Sequence, residues 1–283
     1  MPPDPHPIKA TILGCGYVGK AVAKRLQHQG LMVTATTTSP ERLAELNTVA
    51  DRGVVLMGSD PGALHDCLSD QQVVLVCVGS KRGASYADTY LKTAKTLVEV
   101  LPQTQVQQLI YTSTYSVYGQ HHGSWVTEAT PAQPATDNGQ VIAAAEQTYL
   151  SAAHPGRKVC IFRLGGIYGP GRELAKIYGR SAGKTRPGRG EEASNWVHLD
   201  DIVGAIDFAR EHSLGGIYNL VQDEVPTVKD LIDRVCHHNN LAPITWDPSQ
   251  PSARPYNAKV SNQKLKAAGY SFFHPTFDLP HQP

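Results

Sequence analysis

Residues Gly14-Cys15-Gly16-Tyr17-Val18-Gly19 set three glycines at the spacing G-x-G-x-x-G. Chemistry that handles a diphosphate needs this pattern. Gly14 permits a tight turn, Gly16 lets the backbone approach a pyrophosphate, and Gly19 lets the following helix pack close to the preceding strand. Cys15, Tyr17 and Val18 complete the turn. The helix that opens there presents N–H donors and the positive end of its dipole to the phosphates. The motif has the context it requires, because it follows an apolar stretch read as a strand over 8–13 and opens a helical pattern over 18–29.

A second set of residues bears on which dinucleotide fits. An NAD-selective site places Asp or Glu at the end of the second strand, where the carboxylate accepts from the ribose hydroxyls. Here that stretch reads Thr36-Thr37-Thr38-Ser39, with Arg42 just beyond. No carboxylate repels a 2′-phosphate, and Thr37, Thr38 and Arg42 can receive one. NADP is therefore preferred, with NAD as the alternative. Asp60 either contacts the adenine or caps the helix after it. Val78 and Gly79, which follow the fourth strand, are expected to line the cofactor.

These residues must be positioned by a regular frame, and the sequence supplies one. β-branched runs at 8–13, 31–36, 54–57, 73–78, 106–112 and 159–164 alternate with helical patterns at 18–29, 40–47, 84–101 and 141–153. Gly30 ends the first helix, Ser39 and Pro40 open the second, and Pro102 stops the third. Such alternation implies an α/β fold, a doubly wound parallel sheet with helices on both faces. After Leu164 the rhythm breaks. The stretch 165–195 reads as loop, helices follow at 200–211 and 228–238 around a short strand at 217–220, and the tail from Leu241 reads as irregular.

Composition narrows the function classes. The chain has 283 residues, with 26 Lys plus Arg against 25 Asp plus Glu, so it carries no electrostatic footprint for nucleic acid or an anionic membrane. Its longest strongly apolar run, 73–78, is far short of the roughly 20 residues of a membrane helix. Residues 1–10 contain no apolar signal core, and the five cysteines have no Cys-x-x-Cys spacing, so a cytoplasmic chain with free thiols is expected.

Further motifs follow the later strands: Tyr111-Thr112-Ser113-Thr114-Tyr115-Ser116-Val117-Tyr118-Gly119, Arg163-Leu164-Gly165-Gly166-Ile167-Tyr168-Gly169-Pro170-Gly171-Arg172, Asn195-Trp196-Val197-His198-Leu199-Asp200-Asp201-Ile202 and Gly216-Ile217-Tyr218-Asn219-Leu220. With the glycine turn, they resemble the extended short-chain dehydrogenase/reductase superfamily in its NAD-dependent epimerase/dehydratase branch, from about Ile8 to Tyr270. The resemblance implies a Rossmann-like sheet domain over 1–164, completed by 198–220, and a small substrate lobe built from 165–197 and 221–283. It also implies hydride transfer at a nicotinamide, a Ser or Thr that orients the substrate, and a Tyr-x-x-x-Lys acid/base pair. Thr114 matches the orienting position. The Tyr and Lys positions hold Asn138 and Ile142, so the chain resembles atypical members that lack this pair. A positioned acid/base is worth roughly 10²–10⁴ in rate. Tyr118 is the favoured replacement acid, with Tyr115, His121 and His122 nearby in sequence.

Arg172, Lys176, Arg180, Lys184, Arg186 and Arg189 form a cationic run opposed only by Glu173. In the resembling family this region faces the substrate, and Arg binds phosphate or carboxylate in bidentate fashion. Arg172, Arg186 and His198 are the candidates to bind a small polar, anionic substrate. The expected protein is thus a monomeric or homodimeric NAD(P)-dependent enzyme. Its rival is a non-catalytic NADPH sensor acting through a protein partner.

Overall fold

The computed structural model describes residues 7–80 and 83–279. In chain order the first half contains β1 (Lys9–Leu13), α1 (Tyr17–His28), β2 (Met32–Thr37), α2 (Leu43–Leu46), β3 (Arg52–Val55), α3 (Pro61–Leu68), β4 (Val73–Val76), α4 (Thr93–Val100), β5 (Gln108–Thr114), β6 (Trp125–Val126) and α5 (Asp137–Leu150). The second half contains β7 (Lys158–Leu164), β8 (Gly166–Tyr168), α6 (Leu174–Gly179), β9 (Thr185–Pro187), β10 (Trp196–His198), α7 (Leu199–Glu211), β11 (Gly216–Leu220), α8 (Val228–His238), β12 (Thr245–Asp247), β13 (Lys259–Val260) and α9 (Gln263–Ala267).

The expected α/β architecture is present. Seven strands form a parallel sheet in the order β11-β7-β5-β4-β1-β2-β3. Strand β4 (Val-Val-Leu-Val) is buried at every residue, as a strand covered on both faces must be. The order reverses between β1 and β4, where Leu13 pairs with Val76. Ligands of doubly wound sheets bind beyond the carboxyl ends of the strands at such a reversal. That point is where Gly14 leaves β1 and Cys77 leaves β4.

Local chemistry explains the flanking helices. Helix α1 buries Val18, Val22, Ala23 and Leu26, carries Arg25 and His28 in its last turn, and is followed by Gly30 at φ +81°. Helix α3 starts with Pro61, and Asp60 Oδ1 accepts from the Ala63 amide at 3.0 Å. Of the two roles expected for Asp60, this is the helix cap.

Two compact units divide the chain by its contacts. The first comprises 1–113, 140–162 and 203–217, and the second 114–139, 163–202 and 218–283. The grouping expected from the sequence places 114–139 with the dinucleotide-binding segment instead. The first unit's core gathers Leu13, Leu64, Val76, Leu97, Leu109, Tyr111 and Tyr149. In the second, α6 and α8 close over Leu174, Tyr178, Leu231, Ile232, Val235 and Phe277.

Several expectations are corrected. The region 165–195 is mostly loop, as expected, with the short β8, α6 and β9 set in it, but the tail, expected to be irregular, carries β12, β13 and α9. These strands have two or three residues, too few to show a period, and β9 and β6 pair with the remote β12 and β13. The helix expected over 84–101 opens with a wide π turn over Ala87–Lys92, and a 3₁₀ turn carries the chain through Pro102. Among the described residues, no helix is long and apolar enough to cross a membrane.

Candidate functional site

The glycine turn is a worked piece of backbone in the first unit. Gly14 has φ +82°, and a Cβ there would lie 2.8 Å from Val78 Cα and 2.9 Å from Val78 N. A Cβ on Gly19 would lie 3.1 Å from Ile12 Cγ2 on β1. Gly14 thus permits the turn to press on the strand beside it, and Gly19 lets α1 pack on the strand before it. At Gly16 a Cβ would meet nothing within 4 Å. The space over the turn that a diphosphate needs is open, and α1 has no acidic side chain in its first turn to repel one. The turn is tied to β2 by the Cys15 amide, which donates to Thr36 O at 2.9 Å, and by the Gly14 amide, which donates to Thr36 Oγ1 at 3.1 Å. The residues present therefore fit a dinucleotide phosphate.

Cys15 is buried, and that burial pushes its thiol up to about 11, so it remains a packing residue rather than a nucleophile. Tyr17 and Gly16 are half-buried and Val18 is buried. Val78 is half-buried and Gly79 is exposed.

Arg42 lies beside the turn, its Nη2 donating to the Cys15 carbonyl at 3.0 Å. Its Nε and Nη2 also donate to Glu45 Oε2, each at 3.1 Å. Lys20 pairs with the other Glu45 oxygen. The Lys20 ammonium, and then the Arg42 guanidinium, hold the Glu45 carboxyl below its ordinary range. Lys20 and Glu45 are not singled out by the sequence reading. Glu45 sits three residues after Arg42 on the same helical turn, a readable pairing signal. The Thr37 hydroxyl is buried and accepts from the Ser39 amide at 3.1 Å, while Thr38 is exposed.

In the second unit, Thr114 Oγ1 accepts from the Ser116 amide at 3.3 Å and shares a hydrogen bond with Ser116 Oγ at 3.1 Å. It caps the 3₁₀ turn Tyr115–Tyr118. Tyr118 does not suit the role of acid. It is 0% exposed, its hydroxyl donates to Asn219 Oδ1 at 2.7 Å, and Arg163 lies over its ring at 4.6 Å. Burial pushes the phenol above its ordinary value. A side chain that reads as a loop tyrosine is a core residue. A Tyr118→Phe protein is expected to lose about 1–2 kcal/mol in urea denaturation, because Asn219 Oδ1 is left unsatisfied, with dinucleotide affinity unchanged. A specific loss of turnover without loss of stability would restore Tyr118 as the acid.

Helix α5 carries Asn138, exposed, in its first turn and Ile142, buried, one turn later. Further along α5, buried Glu146 accepts from Ser113 Oγ on β5 at 2.5 Å.

The substrate candidates lie in the second unit but are not drawn into one cluster. Arg172 is exposed, its amide donating to Gly169 O at 2.9 Å. Arg186 is half-buried on β9 with its guanidinium 5.6 Å from the Trp246 ring centre. His198 ends β10 against Tyr168 and His274, with ring centres 5.0 and 3.8 Å away. Burial, and then His274, lower the His198 pKa. The next carboxylate but one, Asp201, is 0% exposed and accepts from the amides of Phe273 at 2.6 Å and His274 at 3.0 Å. Nothing in the sequence ties 270–274 to this motif.

Comparison with known proteins gives this geometry its context. The model of the NAD dependent epimerase/dehydratase family matches residues 10–220. The chain is similar to Protein YeeZ of Escherichia coli (strain K12), with 33% identity over 218 residues, 75% of this chain and 77% of that protein. A functionally unknown conserved protein from Silicibacter pomeroyi DSS superposes with a TM-score of 0.77 at 23% identity, covering 95% of this chain and 94% of that one. A Thermus thermophilus UDP-glucose 4-epimerase in complex with NAD superposes with a TM-score of 0.75 at 21% identity, covering 94% of each chain. The two superpositions speak for the fold.

Proposed function

Because the chain belongs to the NAD-dependent epimerase/dehydratase family, we propose that it binds a nicotinamide dinucleotide at the 14–19 turn, prefers NADP to NAD, and acts as an oxidoreductase or epimerase-like enzyme on a small polar, anionic substrate. The observation that carries this reading is the division of labour among the glycines: Gly14 and Gly19 press against backbone and strand, while Gly16 faces open space. The bound nicotinamide would supply the hydride acceptor or donor.

The chain's own residues do the rest. The backbone of 14–19 and the first-turn amides of α1 hold the diphosphate. Val78 and Gly79 flank it from the end of β4. Arg42 receives the 2′-phosphate. Its bonds to Cys15 and Glu45 use Nε and Nη2 and leave the Nη1 hydrogens for the ligand. The Thr38 hydroxyl assists, and Thr37 holds the turn. Thr114 orients the substrate, and Arg172 offers an exposed guanidinium to its anionic group. Titration with NADPH and NADH, followed by cofactor fluorescence, tests the cofactor reading. Arg42→Ala is expected to weaken NADPH by about tenfold or more and NADH little, since a charge-assisted bond is worth about 1.5–3 kcal/mol. Equal losses for both nucleotides would refute the NADP preference.

A second reading, a non-catalytic NADPH sensor, is favoured by one observation. Asn138 and Ile142 stand at the expected acid/base positions, and Tyr118, the favoured replacement, is sealed in the core. Hydride consumption over pooled metabolites separates the readings. Turnover lost in Thr114→Ala at unchanged NADPH affinity supports the enzyme. Tight NADPH binding without turnover supports the sensor.

A further inference from the structure

We propose that His198, Asp200 and His274 form a binding site for a borderline divalent metal ion such as Zn²⁺, a site independent of the dinucleotide reading. One ligand atom from each residue lies within 4.8 Å of the others. His198 Nδ1 stands 3.4 Å, and His274 Nε2 3.2 Å, from Asp200 Oδ2. Zinc binds imidazole nitrogen and carboxylate oxygen at about 2.0–2.2 Å, so tetrahedral geometry sets neighbouring donor atoms about 3.3–3.5 Å apart. One imidazole–carboxylate edge has that spacing and the other is about 0.1 Å shorter.

The tautomer of His198 follows from its backbone contact. The Asp200 amide donates to His198 Nδ1 at 3.2 Å, so that nitrogen is unprotonated and the neutral ring carries its proton on Nε2. This is the tautomer that ligation through Nδ1 requires. That one lone pair already accepts from the Asp200 amide, so a metal ion would displace this hydrogen bond, with an Asp200 carboxylate oxygen 3.4 Å away as the next donor.

The frame around the cluster is tied by hydrogen bonds. Buried Asp201 grips the His274 amide with one oxygen and the Phe273 amide with the other, and its carbonyl accepts from the Tyr270 hydroxyl at 2.9 Å. The edge of Tyr168 packs against the His198 ring. The Asp200 side chain is 59% exposed, which supplies an entry path. Three protein ligands leave at least one coordination position for water or an anionic ligand, as in zinc sites that are open rather than structural.

The test uses the full chain, free of any tag and stripped with EDTA, titrated with ZnCl₂ by calorimetry and with CoCl₂ by visible absorption. The expected result is one equivalent bound, with the intense bands of four-coordinate Co²⁺ abolished by Zn²⁺. Asp200→Asn and His274→Ala should each weaken uptake by more than about tenfold, the least that loss of an outer-shell partner alone produces. The chain has 12 histidines, so His28→Ala, at an exposed position of α1, serves as the control that keeps full uptake. Asp200 is exposed, so its substitution does not threaten folding, and circular dichroism verifies the variants. Absence of saturable uptake, or uptake unchanged in both site variants, overturns the site.

Discussion

A Gly14→Val protein is expected to lose dinucleotide binding and a large share of its stability. Gly14 sits at φ +82°, where an L side chain costs about 1–3 kcal/mol in backbone strain. The added Cβ would also fall 2.8 Å from Val78 Cα and 3.0 Å from Cys77 C. Those are backbone atoms at the end of the central strand β4, and they cannot rotate aside as a side chain could. The turn also joins β2 through the Gly14 and Cys15 amides, so the displacement spreads to both neighbours of β1. Gly16→Ala is the informative partner. Its φ is negative and its methyl meets no protein atom, so its loss of stability should be much the smaller of the two while NADPH affinity falls. Urea denaturation and NADPH titration of the two variants separate the turn as scaffold from the turn as ligand cradle. A Gly16→Ala protein that binds NADPH as well as the parent would refute the cradle.

The second large effect is expected at Asp201→Ala. Its carboxylate is fully buried and accepts from Phe273 N, His274 N and, at 3.3 Å, the Tyr270 hydroxyl. The Phe273 side chain is 69% exposed, so its own packing adds little to hold 270–274 in place. Removing the carboxylate orphans amides at about 1–3 kcal/mol each, for a total of about 3–5 kcal/mol in chemical denaturation. Asp201→Asn retains one acceptor oxygen and should lose less. A loss below about 1 kcal/mol for the alanine variant would show that the segment is held by something else.

The legible part of the molecule is the part whose contacts are close in sequence. The 73–78 run announces a strand buried on both faces. The helix at 228–238 is legible to its residue limits because Val228, Leu231, Ile232, Val235 and Cys236 repeat at helical spacing behind the Thr227 cap. The glycine turn is readable because turn, close approach and helix packing each demand glycine within six residues. The place of Arg42 beside it is readable too, but its sharing of Glu45 with Lys20 is not.

Other features depend on distance. β6, β9, β12 and β13 are too short to carry a period and exist only because remote partners complete their hydrogen bonds. Tyr118 reads as an available acid in sequence, yet it is buried in one cluster with Val126, Val221 and Val260, and its hydroxyl donates to Asn219. Type and spacing set what a side chain can do; burial decides whether it can do it.

By itself the sequence determined the strand–helix alternation, the glycine turn, the absence of a carboxylate at the end of β2, and the identities Asn138 and Ile142. Periodicity and backbone conformational preference act over a few residues, so they are written locally. Only the tertiary structure decided that Gly14 and Val78 meet at the point where strand order reverses, that Tyr118 is sealed, and that His274 joins His198 and Asp200. Those outcomes depend on long-range packing and on which buried polar groups find partners, and neither is expressed within any one stretch of the chain.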